Sequence, residues 1–372
     1  MPEPLAHAAA SEVGPAAVPA TGSPPLAPAP SLRVVNEALT AGLAAAAVGI
    51  VLGLVVSAIR PGLPLSGTDS FGSVSALAAG VIAAASTGTG YWRSRHSPGQ
   101  EWRLTLPRWK FTINAVSVVI VHTILAILGT VALYYILSQG FIGLTMEPFW
   151  AALLLAINLF LAAHLSYMSA SRMTTQRMST LLVAFIGIGA LTSTITAPEA
   201  DWWTYHFSQL GTFDTLSSWI FNGTLIAGGL LVTTFGVYVA NDLRALVDRG
   251  ILTNDHAPRT VSTVFVIMGI MLAFVGIVPV DVNLVVHNLS ATGMAVVFLG
   301  LLIAAPRVLR GMPRTFFITT WGFLAALVIS VVLFVVGYFG LTAFEIIVFS
   351  LVFAWIAVFI RFLGIAAQQP SA

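Results

Sequence analysis

The sequence of 372 residues contains no cysteine. Disulfides, iron–sulfur clusters held by thiolates, cysteine-ligated zinc and a cysteine nucleophile are therefore excluded. Charged residues make up only 8% of the chain, whereas a soluble domain carries roughly 25% because its surface faces water. Only one basic residue, Lys110, is a lysine, and the basic residues are scattered along the chain. A nucleic-acid-binding protein would instead gather them on one face.

Several sequence motifs of enzymes are also missing. The chain has no GxxxxGK[ST] phosphate loop and no GxGxxG dinucleotide fingerprint, so it is not itself an ATPase. It has no HExxH or comparable zinc-ligand spacing, and we expect no cofactor. No charged residue lies firmly in the middle of an apolar segment, although coupled transporters often carry one there. This argues against a strongly ion-coupled carrier.

The sequence is instead rich in long apolar segments. Hydrophobic residues make up 58% of the chain, and the mean hydropathy is +0.94. Apolar runs of about 18 to 26 residues recur, and each can cross a hydrocarbon core of about 30 Å as a helix. The sequence predicts an all-α, polytopic transmembrane bundle. The ten predicted spans are 37–59, 74–92, 112–137, 148–170, 179–197, 216–240, 260–280, 289–306, 315–339 and 343–363.

Short tails flank this membrane domain, which we place at 35–364. Residues 1–34 are rich in proline and alanine and lack the basic and apolar regions of a signal peptide. With no apolar stretch to bury, they are predicted to be a disordered tail. Residues 365–372 form a second short tail.

The basic residues predict the orientation of the chain in the membrane. Nearly all of them lie before the first span, after the last one, or in the even-numbered connections, and Arg60 is the exception. The positive-inside rule then puts both termini in the cytoplasm. The use of arginine and alanine suggests a bacterial inner membrane. We call the opposite end of the bundle, with segments 66–70, 197–215 and 279–290, the predicted outer face.

The second connection is unusually basic and is interleaved with tryptophan. Trp102 and Trp109 separate basic residues that can hold anionic lipid headgroups. The basic residues predicted to do so are Arg93, Arg95, Arg103, Arg108 and Lys110.

Polar and aromatic residues concentrate at the predicted outer face, and three interpretations compete. Asp214, Asn288 and Ser73 are placed to cap helices, since their side-chain oxygens can accept orphan backbone N–H groups. Alternatively, these connections form a vestibule that binds a ligand between apolar walls. The residues assigned to such a vestibule are Trp202, Trp203, His206, Ser208, Asp214, Asn222, Asp281 and His287.

The third interpretation is a membrane-embedded, metal-dependent hydrolase. His206, Asp281 and His287 could bind zinc and leave one position open for a reactive water. The sequence spacing of these three residues matches no zinc-binding motif considered above.

Two histidines fall inside predicted spans. His122 and His164 lie in neighbouring antiparallel spans, so they could pair as haem ligands or as a proton relay. The alternative is that each is a neutral histidine bonded to a Ser, Thr or Asn, such as Ser117 or Asn158.

Part of the chain resembles a known but uncharacterised family. The segment HFSQLG at 206–211 precedes a helix that opens Phe221-Asn222, and a later helix ends Pro279-x-Asp281 before a His287-x-x-x-Ala291 start. This pattern resembles a domain-of-unknown-function family of bacterial and archaeal polytopic membrane proteins, loosely similar to DRAM-like and Sfk-like proteins. The resemblance covers roughly 200–305. It implies a shared outer-face site around His206, Ser208, Asp281 and His287, without an established activity.

These observations favour a non-enzymatic membrane protein that binds or moves a small or lipidic molecule at an outer-face vestibule. The metal hydrolase is the first alternative, and a structural subunit of a larger membrane complex is the second.

Overall fold

The computed structural model describes residues 32–366. Within that range the chain forms ten α-helices and no strand, apart from an isolated bridge between Pro64 and Thr145. The helices are α1 (Leu32–Ile59), α2 (Phe71–Arg93), α3 (Arg108–Gly140), α4 (Pro148–Ser171), α5 (Thr175–Thr196), α6 (Leu216–Asp248), α7 (Ala257–Ile277), α8 (Leu284–Val308), α9 (Arg314–Val335) and α10 (Leu341–Ala366).

All ten helices are long and apolar enough to cross a membrane, so the predicted all-α bundle of ten spans is confirmed. α6 exceeds its predicted span because Leu243 and Leu246 give its mixed-charge end a buried apolar face. Most of the two predicted tails lies outside the described residues.

Three predicted helix caps are wrong. Ser70 caps α2, Thr215 caps α6 and Asn283 caps α8. Ser73 and Ser218 complete capping boxes from inside the first turn, which satisfies two backbone N–H groups at once. Asp214 lies one residue before the α6 cap, and Asn288 lies within α8.

Helices α1–α4 pack together as one group. α1 lies along α4, and α2 packs against both α3 and α4. Gly49 and Gly53 of α1 contact the α4 backbone, so that a Cβ at either position would lie within 2.8 Å of it. Small residues of this kind allow the close approach on which helix association in lipid depends.

Helix α6 is the centre of the second group, α5–α10. It packs along α7 and α5, while α8 and α9 extend the group from α7 and α10 packs on α9 and α5. α6 approaches the α7 backbone closely, and a Cβ at Gly229 would lie 2.3 Å from the Gly269 carbonyl oxygen.

The two groups meet where α3 crosses α6. Ser117 and Thr234 share a buried hydrogen bond of 2.6 Å between their hydroxyls. Tyr238 donates to the Tyr91 hydroxyl at 3.1 Å. Arg103 is 1% exposed and lies over the Tyr91 ring. Polar bonds therefore join the groups in a region shielded from lipid.

Replacing Gly229 with alanine should loosen α6 from α7. The added methyl would overlap the α7 backbone, and overpacking of this kind typically destabilises by about 1–3 kcal/mol. Thermal unfolding of the full chain in nanodiscs measures the effect. The control is Gly223→Ala on the same helix, where a Cβ meets nothing within 4 Å. Equal melting temperatures for the two variants would contradict the close-packing role.

Candidate functional site

Residues 197–215, here called the outer loop, close the predicted outer face of α5, α6 and α10. The loop forms two short 3-10 turns, Trp202–Thr204 and Phe207–Gly211, before Thr215 starts α6. The second turn packs on α6 and α10. These turns place the aromatic rings of Trp202 and Phe207 towards the helices.

Three hydrogen bonds tie the outer loop to different helices. The Glu345 carboxylate of α10 accepts from the Phe207 backbone N–H at 2.6 Å. Asp281, just before α8, accepts from the Phe213 N–H at 3.2 Å. Asn222 of α6 donates from its side-chain amide to the Gly211 carbonyl at 2.8 Å. The loop is therefore positioned by polar side chains from three separate elements.

Ser208 and His287 form the centre of the polar part of the site. His287 Nδ1 lies 2.9 Å from the Val278 carbonyl oxygen, and Nε2 lies 3.0 Å from Ser208 Oγ. A carbonyl can only accept, so Nδ1 carries the proton of the neutral ring. Nε2 then accepts, and the Ser208 hydroxyl donates to it. His287 is 3% exposed, whereas Ser208 remains partly accessible.

His206 lies next to this pair. It is partly buried, and this burial lowers the pKa of its imidazole below the usual value. The nearby His287 lowers the pKa of His206 further, because two positive rings would repel each other. His206 therefore favours the neutral state.

An apolar crevice lies directly beneath the loop. It measures about 580 Å³ and lies between α5 and α10, with α6 as its floor. Its mouth faces the surroundings, since Leu191 at one rim is 64% exposed. The lining residues come from the middle and outer-face end of α5, from the outer-face halves of α6 and α10, and from the loop. They are Val183, Ile186, Gly187, Ala190, Leu191, Thr194, Trp202, Phe207, Phe221, Thr224, Leu225, Ile346, Phe349, Ser350 and Phe353.

The structure brings some of the residues assigned to the vestibule together. His206, Ser208 and His287 are neighbours, and Trp202 roofs the crevice. Asn222 and Asp281 hold the loop through its backbone, as described above. Trp203 is 61% exposed and Asp214 is also exposed, and neither lines the crevice.

Sequence reasoning missed Glu345 and Phe207. An acidic residue near the start of the last apolar span was the available signal for Glu345, because a carboxylate there needs a hydrogen-bond donor. Phe207 carried no signal, since its role depends on the turn that aims its ring at α6 and α10.

The zinc ligands predicted from sequence are only partly assembled. His206 and His287 are close, but Asp281 bonds to the Phe213 backbone. Among residues 32–366, no group of three or more His, Asp or Glu side chains is arranged to hold a metal ion. Zinc binding stays a prediction.

The two histidines inside the spans do not pair with each other. His122 Nδ1 donates to the Val118 carbonyl at 2.8 Å, and its Nε2 accepts from Ser169 at 2.9 Å. His164 instead stacks on Phe160, with 8° between the rings. The alternative of a neutral histidine bonded to a serine therefore describes His122, although the partner is neither Ser117 nor Asn158. Asn158 accepts from Thr130 at 3.2 Å.

The basic second connection needs one correction. Arg103 is buried and donates to Gln100 and to the Tyr91 carbonyl, so it cannot reach a lipid headgroup. Arg93 pairs with Glu37 of α1 at 2.8 Å, and Arg95 stacks on Trp92. Arg108 and Lys110 are also exposed. Anionic lipid contact stays a prediction for the four accessible residues.

Comparison with known proteins identifies the second group of helices. Residues 178–361 match the profile of a family described as Protein of unknown function (DUF998). This segment, just under half of the chain, is therefore similar to the DUF998 family. The resemblance to an uncharacterised family is thus confirmed, and the match is longer than the 200–305 predicted. No curated protein and no solved structure matches the chain.

The DUF998 segment contains the whole candidate site. All residues that line the crevice, the outer loop and its tethers lie between 178 and 361. Helices α1–α4 precede the segment and contribute nothing to the crevice walls.

The lowered pKa of His206 predicts that acid loosens the outer loop. A histidine whose folded pKa lies below its unfolded value of about 6.5 stabilises the fold fully above that value, and loses this contribution as the pH falls. The protection of the backbone amides of 200–213 against hydrogen exchange, relative to the intrinsic rate at each pH, should therefore fall as the pH is lowered from about 7.5 to about 5 in nanodiscs.

His206→Gln should flatten this pH dependence, since glutamine does not titrate. The neighbouring His287 and Glu345 are kept in both proteins, so the comparison isolates His206. An unchanged pH profile in the variant would show that another group controls the loop.

Proposed function

We propose that this integral membrane protein binds an amphiphilic, lipid-like molecule at the predicted outer face. The apolar chain of the ligand would occupy the crevice between α5 and α10, and its polar end would meet the outer loop. The crevice is the observation that supports this proposal. Its volume of about 580 Å³ falls within the roughly 300–1,000 Å³ of small-molecule sites.

The position of the crevice favours a lipidic ligand. Its walls belong to membrane-spanning helices, so the mouth opens at the depth of the hydrocarbon core. Acyl chains are the molecules present at that depth. Phe221, Phe349 and Phe353 offer apolar surface with few competing polar groups.

Selectivity would come from the loop rather than from the crevice walls. Lipid tails are as apolar as the side chains that line the walls, so burial alone gives little preference for one chain over the bulk bilayer. The partly exposed His206 and Ser208 lie where the polar end of a bound molecule would emerge. Their hydrogen-bonding groups can distinguish one headgroup from another.

The extent of the crevice favours binding over transport across the membrane. Its lining reaches no further towards the opposite face than Val183 of α5, Leu225 of α6 and Phe353 of α10, so the crevice ends near the middle of the bundle. If the protein were a purely structural subunit, the crevice would have no ligand to hold. A larger side chain placed in the crevice would then leave lipid binding unchanged.

Gly187→Phe should block the crevice without disturbing the helices. Gly187 lines the crevice, and a Cβ added there meets nothing within 4 Å. We expect photo-crosslinking of a diazirine-labelled phospholipid to α5 and α10 to fall about tenfold, equivalent to ~1.4 kcal/mol of binding. Mass spectrometry of the crosslinked peptides measures it.

Gly322→Phe on α9 is the matched control, because that glycine is exposed and a Cβ there also meets no atom within 4 Å. The control should retain wild-type crosslinking on α5 and α10. Equal labelling of wild type and Gly187→Phe would rule out the crevice as the lipid site.

A further inference from the structure

Ser208 and His287 have the arrangement of a nucleophile and its general base. The Val278 carbonyl fixes the proton on His287 Nδ1, which leaves the Nε2 lone pair facing Ser208 Oγ at 3.0 Å. A serine hydroxyl becomes nucleophilic when an adjacent base can take its proton and a third group orients that base. All three parts are present, with a backbone carbonyl as the orienting group.

The location of the pair adds an independent argument. Ser208 directly follows Phe207, whose ring lines the crevice, and it is partly accessible. In a lipid ester the carbonyl carbon joins the apolar chain to the polar end. A chain seated in the crevice would therefore bring its ester carbonyl towards the outer loop, in which Ser208 follows the crevice-lining Phe207.

A second histidine–serine pair has the same hydrogen-bond geometry and shows that these bonds also occur between two packed helices, away from the crevice. His122 donates to Val118 and accepts from Ser169, at distances within 0.1 Å of those in the first pair. This pair lies between α3 and α4, away from the crevice, and joins two helices. Only the outer pair lies beside a site for an acyl chain, so position distinguishes the two.

We propose that Ser208 and His287 cleave an acyl ester whose chain occupies the crevice, so that the protein is a serine-dependent lipid esterase. This inference rests on the proposed lipid binding and names the substrate class. It uses no metal, unlike the hydrolase considered from sequence. Glu345 would act as a positioning residue, since it holds the Phe207 N–H at 2.6 Å and thereby the turn that carries Ser208.

The reaction balances without an added oxidant or reductant. Ser208 Oγ bonds to the ester carbonyl carbon while its proton passes to His287 Nε2. The carbon–oxygen bond to the lipid alcohol then breaks, and His287 returns the proton to the leaving oxygen. Water attacks the acyl-serine with the same base, which releases a fatty acid and restores Ser208.

Active-site labelling tests the inference. Purified full-length protein in nanodiscs is treated with a hexadecyl fluorophosphonate and, separately, with an ethyl fluorophosphonate. Intact mass and peptide mapping then locate the adduct. We expect one adduct, on Ser208, from both probes, with the hexadecyl probe reacting faster because its chain enters the crevice.

Variants separate reactivity from folding. Ser208→Ala should abolish the adduct. His287→Asn retains an amide donor for the Val278 carbonyl but removes the base, and labelling should slow by about a hundredfold or more. Ser169→Ala is the matched control, because it removes the other serine of this geometry and should leave labelling unchanged. Thermal unfolding confirms that each variant is folded.

The outcomes distinguish this inference from the proposed lipid binding. No adduct on Ser208, with phospholipid crosslinking in the crevice intact, would make the pair a structural bond and overturn the esterase while lipid binding stands. Equal labelling by both probes in wild type and Gly187→Phe would overturn the lipidic substrate class, even with a reactive Ser208. Labelling that survives His287→Asn would overturn the role of the base.

Discussion

Close backbone contact between α6 and its neighbours is the constraint on which the rest of the structure depends. Lipid supplies no hydrophobic drive between helices, so association relies on tight packing and interhelical hydrogen bonds. Gly229 and Gly269 let α6 and α7 touch, and Gly189 packs against Thr224 between α5 and α6. The crevice is the region where α10 does not close onto this tightly packed set.

The outer loop completes that arrangement at the membrane boundary. Its backbone is held by carboxylates from α10 and from the turn before α8, and by an amide from α6. Phe213 adopts a positive φ of 57° within this tethered stretch, which is uncommon for a residue other than glycine. Fixed in this way, the loop can present His206 and Ser208 at a constant distance from the crevice roof.

The sequence predicted the fold well because one strong signal controls it. Ten apolar runs of spanning length leave few alternatives in a bilayer, where a helix satisfies its own backbone. The small-residue pair Gly49 and Gly53 was also readable, since packing of glycines in lipid follows a short spacing rule. The caps were misplaced by one to five residues, because several polar residues compete at each helix start.

The site was only partly predictable from the residues. His206, Ser208 and His287 could be placed on one face from topology alone, and they are neighbours. The chain bends after α7, and the Val278 carbonyl there accepts from His287 Nδ1, so that Nε2 faces Ser208. No local sequence pattern predicts this bend. The crevice depends on the distance between α10 and α5. The periodicity of apolar residues in the sequence does not predict that distance.

The polar contacts between the two helix groups constrain which residues a related protein can carry in α6. Thr234 and Tyr238 of α6 are covered by α2 and α3, and their hydroxyls bond to Ser117 and Tyr91. Without α1–α4, these hydroxyls would face hydrocarbon with no partner. A relative built from the matched segment alone would therefore need apolar residues at these two positions, or a separate subunit to cover them. The residue types at the positions equivalent to 234 and 238 are therefore expected to differ between relatives with and without helices like α1–α4.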